Sequence, residues 1–238
     1  DRPAARGWFE EAARVRPPPS KETFELASIA GNLGLVEKDP ARRDTLLDSE
    51  GDELEAALGT DHPLALDARL KAAMFVDHTA RSTELLRDAC DRYRRMHPHL
   101  VEKIAACAYE VVWFAEARGD VAEARAWLDA VDLPRAPEGR IVIGYRLLLG
   151  GKPADAAREM TTTADTLAAD KAFWSRWRAV DARIVAAVAA EQAGDRSTAL
   201  ASCDQATAAI DALGDFAKSS FVQRRRARIV AIRAKLAN

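Results

Sequence analysis

Gly119-Asp120-Val121-Ala122-Glu123-Ala124 is the stretch that decides the fold, because its pattern returns along the chain. A related stretch, Asp77-His78-Thr79-Ala80-Arg81-Ser82, precedes it by 42 positions. The pattern returns 32 positions later as Gly151-Lys152-Pro153-Ala154-Asp155-Ala156, and 43 positions after that as Gly194-Asp195-Arg196-Ser197-Thr198-Ala199. Returns at this spacing predict a helical repeat protein.

Each copy of the pattern predicts the end of one helix and the start of the next. The glycine follows an apolar run of helical period, where a residue that tolerates positive φ is favoured at the C-terminal cap. The alanine on the second turn of the following helix is small, which allows two helices to cross closely. A single helical hairpin cannot bury its apolar face alone, so we expect successive hairpins to stack.

At these positions the chain resembles the tetratricopeptide repeat (TPR) family, and Leu58-Gly59-Thr60-Asp61-His62-Pro63 is similar to its kinesin-light-chain type. Gly144 and Ala187 supply the small residue that the family has seven positions before the repeat glycine. Asp77 and Ser82 depart from the family pattern, which has Gly and Ala there. The resemblance implies an all-α, right-handed superhelix of stacked helical hairpins. The spacing predicts about five hairpins plus a capping helix.

We expect an N-terminal helix and a Pro-rich linker at 1–19, because Pro17-Pro18-Pro19 breaks any helix, and one TPR-like repeat domain at 20–238. The predicted hairpins pair 21–37 with 40–57, 62–76 with 79–96, 99–118 with 120–132, 138–149 with 153–168, and 172–193 with 195–213. A capping helix is predicted at 217–237. Its inward face is expected to hold Ile229, Ile232 and Leu236, and its other faces Arg224, Arg225, Arg226, Arg228 and Arg233.

Composition and charge exclude several partners. The formal net charge of −2 gives no long-range field that would favour nucleic acid. No apolar run approaches the length of a membrane span. The three cysteines, Cys90, Cys107 and Cys203, form no Cys-x-x-Cys motif, and we expect buried thiols in a reducing, cytoplasmic compartment.

No residue pattern predicts catalysis, a metal or a cofactor. His97-Pro98-His99 is the only close histidine pair, and turn residues explain it better than a metal site does. Gly150-Gly151-Lys152 is no phosphate loop, since Pro153 stands where a Ser or Thr would hold magnesium. We therefore predict that this chain has no enzymatic activity of its own.

The resemblance implies a concave surface lined by the first helix of each hairpin, with exposed positions ten, six and three residues before the repeat glycine. Aromatic and charged side chains there would suit an extended or helical peptide. Tyr109 and Trp113 are predicted to form one partner-facing patch with Tyr145, and the alternative is that these rings pack between repeats. Trp174 and Trp177 are expected in the core. The predicted partner-binding groove contains Asp67, Lys71, Tyr109, Trp113, Glu116, Tyr145 and Glu191.

The function that these observations favour is a non-catalytic protein-interaction scaffold with a protein or peptide partner. The chain begins at Asp1 and has no Met before Met74, so we expect it to be part of a longer protein. In the resembling families of high-GC bacteria, such repeats often follow a eukaryotic-type serine/threonine kinase domain. The alternative is a peptide- or effector-sensing region of a bacterial transcriptional regulator. An enzyme, the third class, has no residue constellation behind it.

Overall fold

The computed structural model describes residues 23–75, 80–130, 137–214 and 219–237, and every regular element in these ranges is an α-helix. In chain order the helices are α1 (Thr23–Val36), α2 (Pro40–Leu58), α3 (Pro63–Phe75), α4 (Ala80–Met96), α5 (Val101–Ala117), α6 (Val121–Asp129), α7 (Pro137–Leu149), α8 (Pro153–Ala169), α9 (Phe173–Gln192), α10 (Arg196–Asp211) and α11 (Ser220–Ala237). They group into two compact units, 1–100 and 101–238.

In the first unit, α1 packs against α2, α2 against α3, and α3 against α4. Leu47 and Leu66 lie in its core, on α2 and α3. The end of α4 is held to the turn before α3, because Nε2 of His97 lies 2.6 Å from the Asp61 carbonyl oxygen. The interpretation of His97 as a turn residue is therefore confirmed.

In the second unit, α5 to α10 form three hairpins, and the first helices of neighbouring hairpins also contact each other. Helix α7 packs against both α5 and α9, while α11 packs against α9 and α10. The core is formed largely by α9, where Val180, Ile184, Val185 and many alanines are fully buried. The small side chains allow neighbouring helices to approach α9 closely.

The three repeat glycines end their helices in the way that the sequence predicts. Gly119, Gly151 and Gly194 have φ of 74°, 75° and 77°, and no non-glycine residue in the described ranges has positive φ. At each of them the next amide also bonds back into the helix, as Asp195 N does to the Ala190 carbonyl at 2.9 Å. This is the Schellman arrangement of a helix C-terminus.

The next helix starts at once because the residue after the glycine caps it. Asp120 and Asp195 accept hydrogen bonds from the backbone amides of Glu123 and Thr198. Pro153 occupies the first turn of α8, where a missing amide hydrogen costs nothing. The repeat pattern is therefore a helix stop followed immediately by a helix start.

The small residue before the repeat glycine marks a close crossing of helices. A Cβ added at Gly144 on α7 would lie 2.4 Å from the Met160 sulfur on α8. The same reasoning explains Gly31 on α1, where an added Cβ would meet the Glu50 carboxylate of α2 at 2.1 Å. A side chain at either position would therefore force the Met160 or Glu50 side chain to move.

The predicted hairpins and last helix are confirmed, with bounds that agree to within a few residues. The inward face of α11 is also confirmed, because Ile229, Ile232 and Leu236 are buried. The predicted N-terminal helix, the linker at 1–19 and Asp77 lie outside the described residues, and a single domain at 20–238 stays a prediction.

The prediction of buried thiols holds for one cysteine. Cys203 is buried with a free thiol, whereas Cys90 and Cys107 are disulfide-bonded, so the prediction is wrong for those two. Within the described ranges, no helix is both long enough and apolar enough to cross a bilayer. The same ranges contain no group of three or more His, Cys, Asp or Glu side chains arranged to hold a metal ion.

Replacing Gly194 tests the helix stop. We expect Gly194→Ala to lower the free energy of unfolding by roughly 1–2 kcal/mol, because the Cβ of an alanine crowds the backbone in the left-handed conformation. No atom lies within 4 Å of the added Cβ, so the cost arises in the backbone alone. Gly194→Asn is the matched control and should cost less, since asparagine tolerates this conformation. Equal urea midpoints for the two variants would contradict the assignment.

Candidate partner-binding surface

Helices α5, α7 and α9 bring the predicted aromatic residues together. Tyr109 and Trp113 lie one turn apart on α5, with ring centroids 6.3 Å apart. The Tyr109 ring lies 6.5 Å from that of Tyr145 on α7. We call this face of the second unit the first-helix surface, and define it by Tyr109, Glu110, Trp113, Glu116, Tyr145, Trp177, Arg178 and Asp181.

The prediction that the aromatic rings are exposed is wrong. Tyr109 and Tyr145 are 0% exposed and Trp113 is 3% exposed, so all three belong to the core of the second unit. Trp177 is also fully buried, as predicted. The rings are covered because α11 lies across the face that the first helices present.

Arg225 of α11 makes the central contact with this surface. Its guanidinium carbon lies 3.9 Å from the ring centroid of Phe221, 4.6 Å from that of Trp113 and 4.9 Å from that of Trp177. Its Nε donates a hydrogen bond to Asp181 Oδ1 at 3.0 Å. Arg225 is 1% exposed and Asp181 is fully buried, so this ion pair is excluded from water.

Arg228 adds a second anchor one turn further along α11. Its guanidinium carbon lies 4.3 Å from the Trp113 ring centroid. The same guanidinium pairs with the Glu116 carboxylate and donates to the Tyr145 hydroxyl at 3.4 Å. Glu116, one of the predicted groove residues, is therefore engaged by the chain itself.

Charges at the surface balance when α11 is included. Arg178 on α9 lies over the Tyr109 ring at 4.6 Å and pairs with Glu110 at 3.1 Å and Asp181 at 3.3 Å. Three arginines, Arg178, Arg225 and Arg228, thus face three carboxylates, Glu110, Glu116 and Asp181. Buried charges in proteins are tolerated when they are paired in this way.

The protonation states follow from burial and from these pairs. Burial raises the pKa of Tyr109 well above its ordinary value, and the nearby Asp181 carboxylate raises it further. Burial alone would lower the pKa of Arg225, but Asp181, Tyr109 and Glu110 together more than compensate, and the net pKa is raised. At neutral pH the tyrosine is a neutral phenol and the arginine remains a cation.

The remaining predicted groove residues do not belong to this surface. Asp67 and Lys71 lie on α3 in the first unit, where Asp67 accepts a hydrogen bond from the Tyr93 hydroxyl at 2.8 Å. Lys71 Nζ lies 2.6 Å from the buried Glu50 carboxylate, whose pKa is raised by burial and only partly restored by the lysine. Glu191 is half-buried near the end of α9.

Sequence reasoning missed the residues that close the surface. Arg225 lies four residues after Phe221 and four before Ile229, which places it within the apolar stripe of α11. Asp181 lies four residues after Trp177 on the buried side of α9 in the same way. A charge within a helical apolar stripe is the signal that would have found both, because such a charge requires a buried partner.

Comparison with known proteins identifies the fold and nothing narrower. No protein-family model matches the chain, and no curated protein matches it. One similar structure is a crystal structure of a Podosopora anserina variant, described as a kinesin light chain with nearly identical TPR-like repeats. Its sequence is 17% identical to this chain, and its TM-score is 0.50. The match covers 80% of this chain and 96% of that one. A related Podosopora anserina structure is 16% identical, with a TM-score of 0.44 and coverage of 85% and 98%. The chain therefore has the fold of TPR-like helical repeats.

The burial of Trp113 can be tested by truncation. We expect Trp113→Ala to lower the free energy of unfolding by about 3–5 kcal/mol, the usual cost of removing a buried tryptophan. Val230→Ala is the matched control, because Val230 lies on α11 but is 65% exposed. Urea unfolding followed by circular dichroism measures both. A Trp113→Ala midpoint equal to that of Val230→Ala would contradict the burial.

Proposed function

We propose that this chain is a non-catalytic protein-interaction scaffold that binds a peptide or a helix of a partner protein. The TPR-like fold supports this proposal, because stacked hairpins present extended surfaces on which partners bind. Each carboxylate of the first-helix surface faces an arginine, which supports a structural role for these side chains.

One observation carries the proposal. The first-helix surface already receives a helix, because Phe221, Arg225 and Arg228 of α11 fit between its rings and carboxylates. A helix laid onto an aromatic surface is one of the recurrent modes of peptide recognition. Aromatic and arginine side chains also dominate the energetics of protein interfaces.

We further propose that the scaffold serves a larger signalling protein with a kinase-like domain. This context is inferred from the sequence resemblance alone. The transcriptional-regulator alternative remains a second prediction, and the identity of any further domain in the same protein would distinguish the two. A kinase catalytic loop there would support the first, and a DNA-binding helix-turn-helix would support the second.

Peptide selection tests the scaffold function. A displayed library of random 20-residue peptides is selected on the full chain, and the affinities of the selected peptides are measured by fluorescence anisotropy. We expect specific binders that lose about tenfold in affinity on Glu191→Lys, because this half-buried residue is a predicted groove position on α9, the helix that also carries Arg178 and Asp181.

The matched control is Arg158→Glu on α8. Arg158 is exposed and pairs only with its neighbour Asp155, so its reversal should leave the affinity unchanged. Selection that yields no specific peptide, or peptides weakened equally by the control, would contradict the proposal.

A further inference from the structure

Helix α11 occupies the first-helix surface by means of a short, recognisable pattern. Its buried side chains are Phe221, Val222, Arg225, Ile229, Ile232 and Leu236, with Arg228 beside them. The residues that reach the first-helix surface are an aromatic residue at position i and arginines at i+4 and i+7. These spacings place the three side chains on one face of a helix.

The surface would carry excess negative charge without α11. Among the residues that define the surface, Glu110, Glu116 and Asp181 carry three negative charges, and Arg178 carries one positive charge. The difference is two uncompensated negative charges next to the rings of Tyr109 and Trp113. Such a surface selects a cationic helix, because guanidinium groups both pair with carboxylates and stack on aromatic faces.

The fit of α11 leaves polar atoms of the surface unused. Among the described residues, the buried Tyr109 hydroxyl, Glu110 Oε2 and Glu116 Oε2 have no hydrogen-bond partner. A buried polar atom without a partner is energetically costly. A helix of slightly different sequence can satisfy these atoms and compete with α11 for the same place.

The rest of α11 is held by the buried side chains of Ile229, Ile232 and Leu236 and by ion pairs at its edge. Arg226 pairs with Asp211, and Arg233 pairs with Asp204, both on α10. The two carboxylates are largely exposed, and exposed ion pairs stabilise little. The buried polar contacts that hold α11 therefore come from Arg225 and Arg228.

We propose that the first-helix surface is the docking site for an amphipathic helix of a partner protein, with an aromatic residue at i and arginines at i+4 and i+7, and that α11 occupies this site in the unbound chain. The inference rests on the proposed scaffold function and names its partner by chemistry. Binding requires α11 to leave, so α11 is an intramolecular competitor that lowers the apparent affinity for the partner.

A labelled synthetic peptide of residues 219–237 is the probe, and its binding to the full chain is measured by fluorescence anisotropy. We expect weak binding to the unmodified chain. A chain with Arg225→Ala and Arg228→Ala should bind the peptide about tenfold more tightly, because its own α11 competes less well. Arg233→Ala is the matched control and should bind as the unmodified chain does.

A control peptide that carries Arg225→Ala and Arg228→Ala should bind about tenfold more weakly than the parent peptide. If the doubly substituted chain does not fold, Arg228→Ala alone is measured against the same expectation. Affinity that does not rise in the folded variant, or that is equal for the two peptides, would overturn the proposal. An unmodified chain that forms a dimer and dissociates on adding peptide would assign the surface to a second copy and overturn it as well.

The two hypotheses fail separately. If the 219–237 peptide does not bind but selected library peptides do, the scaffold function stands and the role of α11 is rejected. If neither binds, both are rejected.

Discussion

The buried ion pair between Arg225 and Asp181 is the interaction on which the second unit depends. Two charges removed from water are stabilising only if their geometry and surroundings compensate for lost hydration. Here the guanidinium lies against Phe221, Trp113 and Trp177 and within 3.0 Å of the carboxylate. Cation–π contacts of this kind strengthen when water is excluded. The pair thereby fixes α11 against α5 and α9, and the burial of the aromatic residues follows from it.

The helical hairpins that support this pair are specified locally. Gly119, Gly151 and Gly194 end three helices at positive φ, and a capping residue or a proline starts the following helix within two residues. Such short connections restrict the angle and the distance between the two helices of a hairpin. Stacked hairpins then place equivalent positions of α5, α7 and α9 next to each other, which brings Tyr109 and Tyr145 together although they are distant in sequence.

The hairpins could be predicted from the sequence because their signals lie within a few residues of each other. The exposure of the surface could not, because it depends on a helix about a hundred residues away. Trp113 occupies a position whose side chain is exposed in the TPR repeats that the sequence resembles. No feature near Trp113 in the sequence indicates that α11 covers it. The run of arginines predicts that Arg225 lies on an outer face of α11 together with its neighbours. Arg225 instead lies in the apolar stripe of α11 and is buried, whereas Arg226 pairs with Asp211 at the edge of the unit. The charge of a residue is therefore a poor predictor of the helix face on which it lies. Its position relative to the apolar residues of the helix is a better predictor.

The most direct test of the central interaction is a double-mutant cycle on Arg225 and Asp181, measured by urea unfolding of the full chain. Arg225→Met keeps the apolar stem, and Asp181→Asn keeps the shape, while each leaves the other charge buried without its partner. Each single change should then cost about 3–5 kcal/mol, and the double variant should recover at least about 2 kcal/mol of the summed cost. Costs that add to within about 0.5 kcal/mol would show that the two residues act independently and would contradict this account.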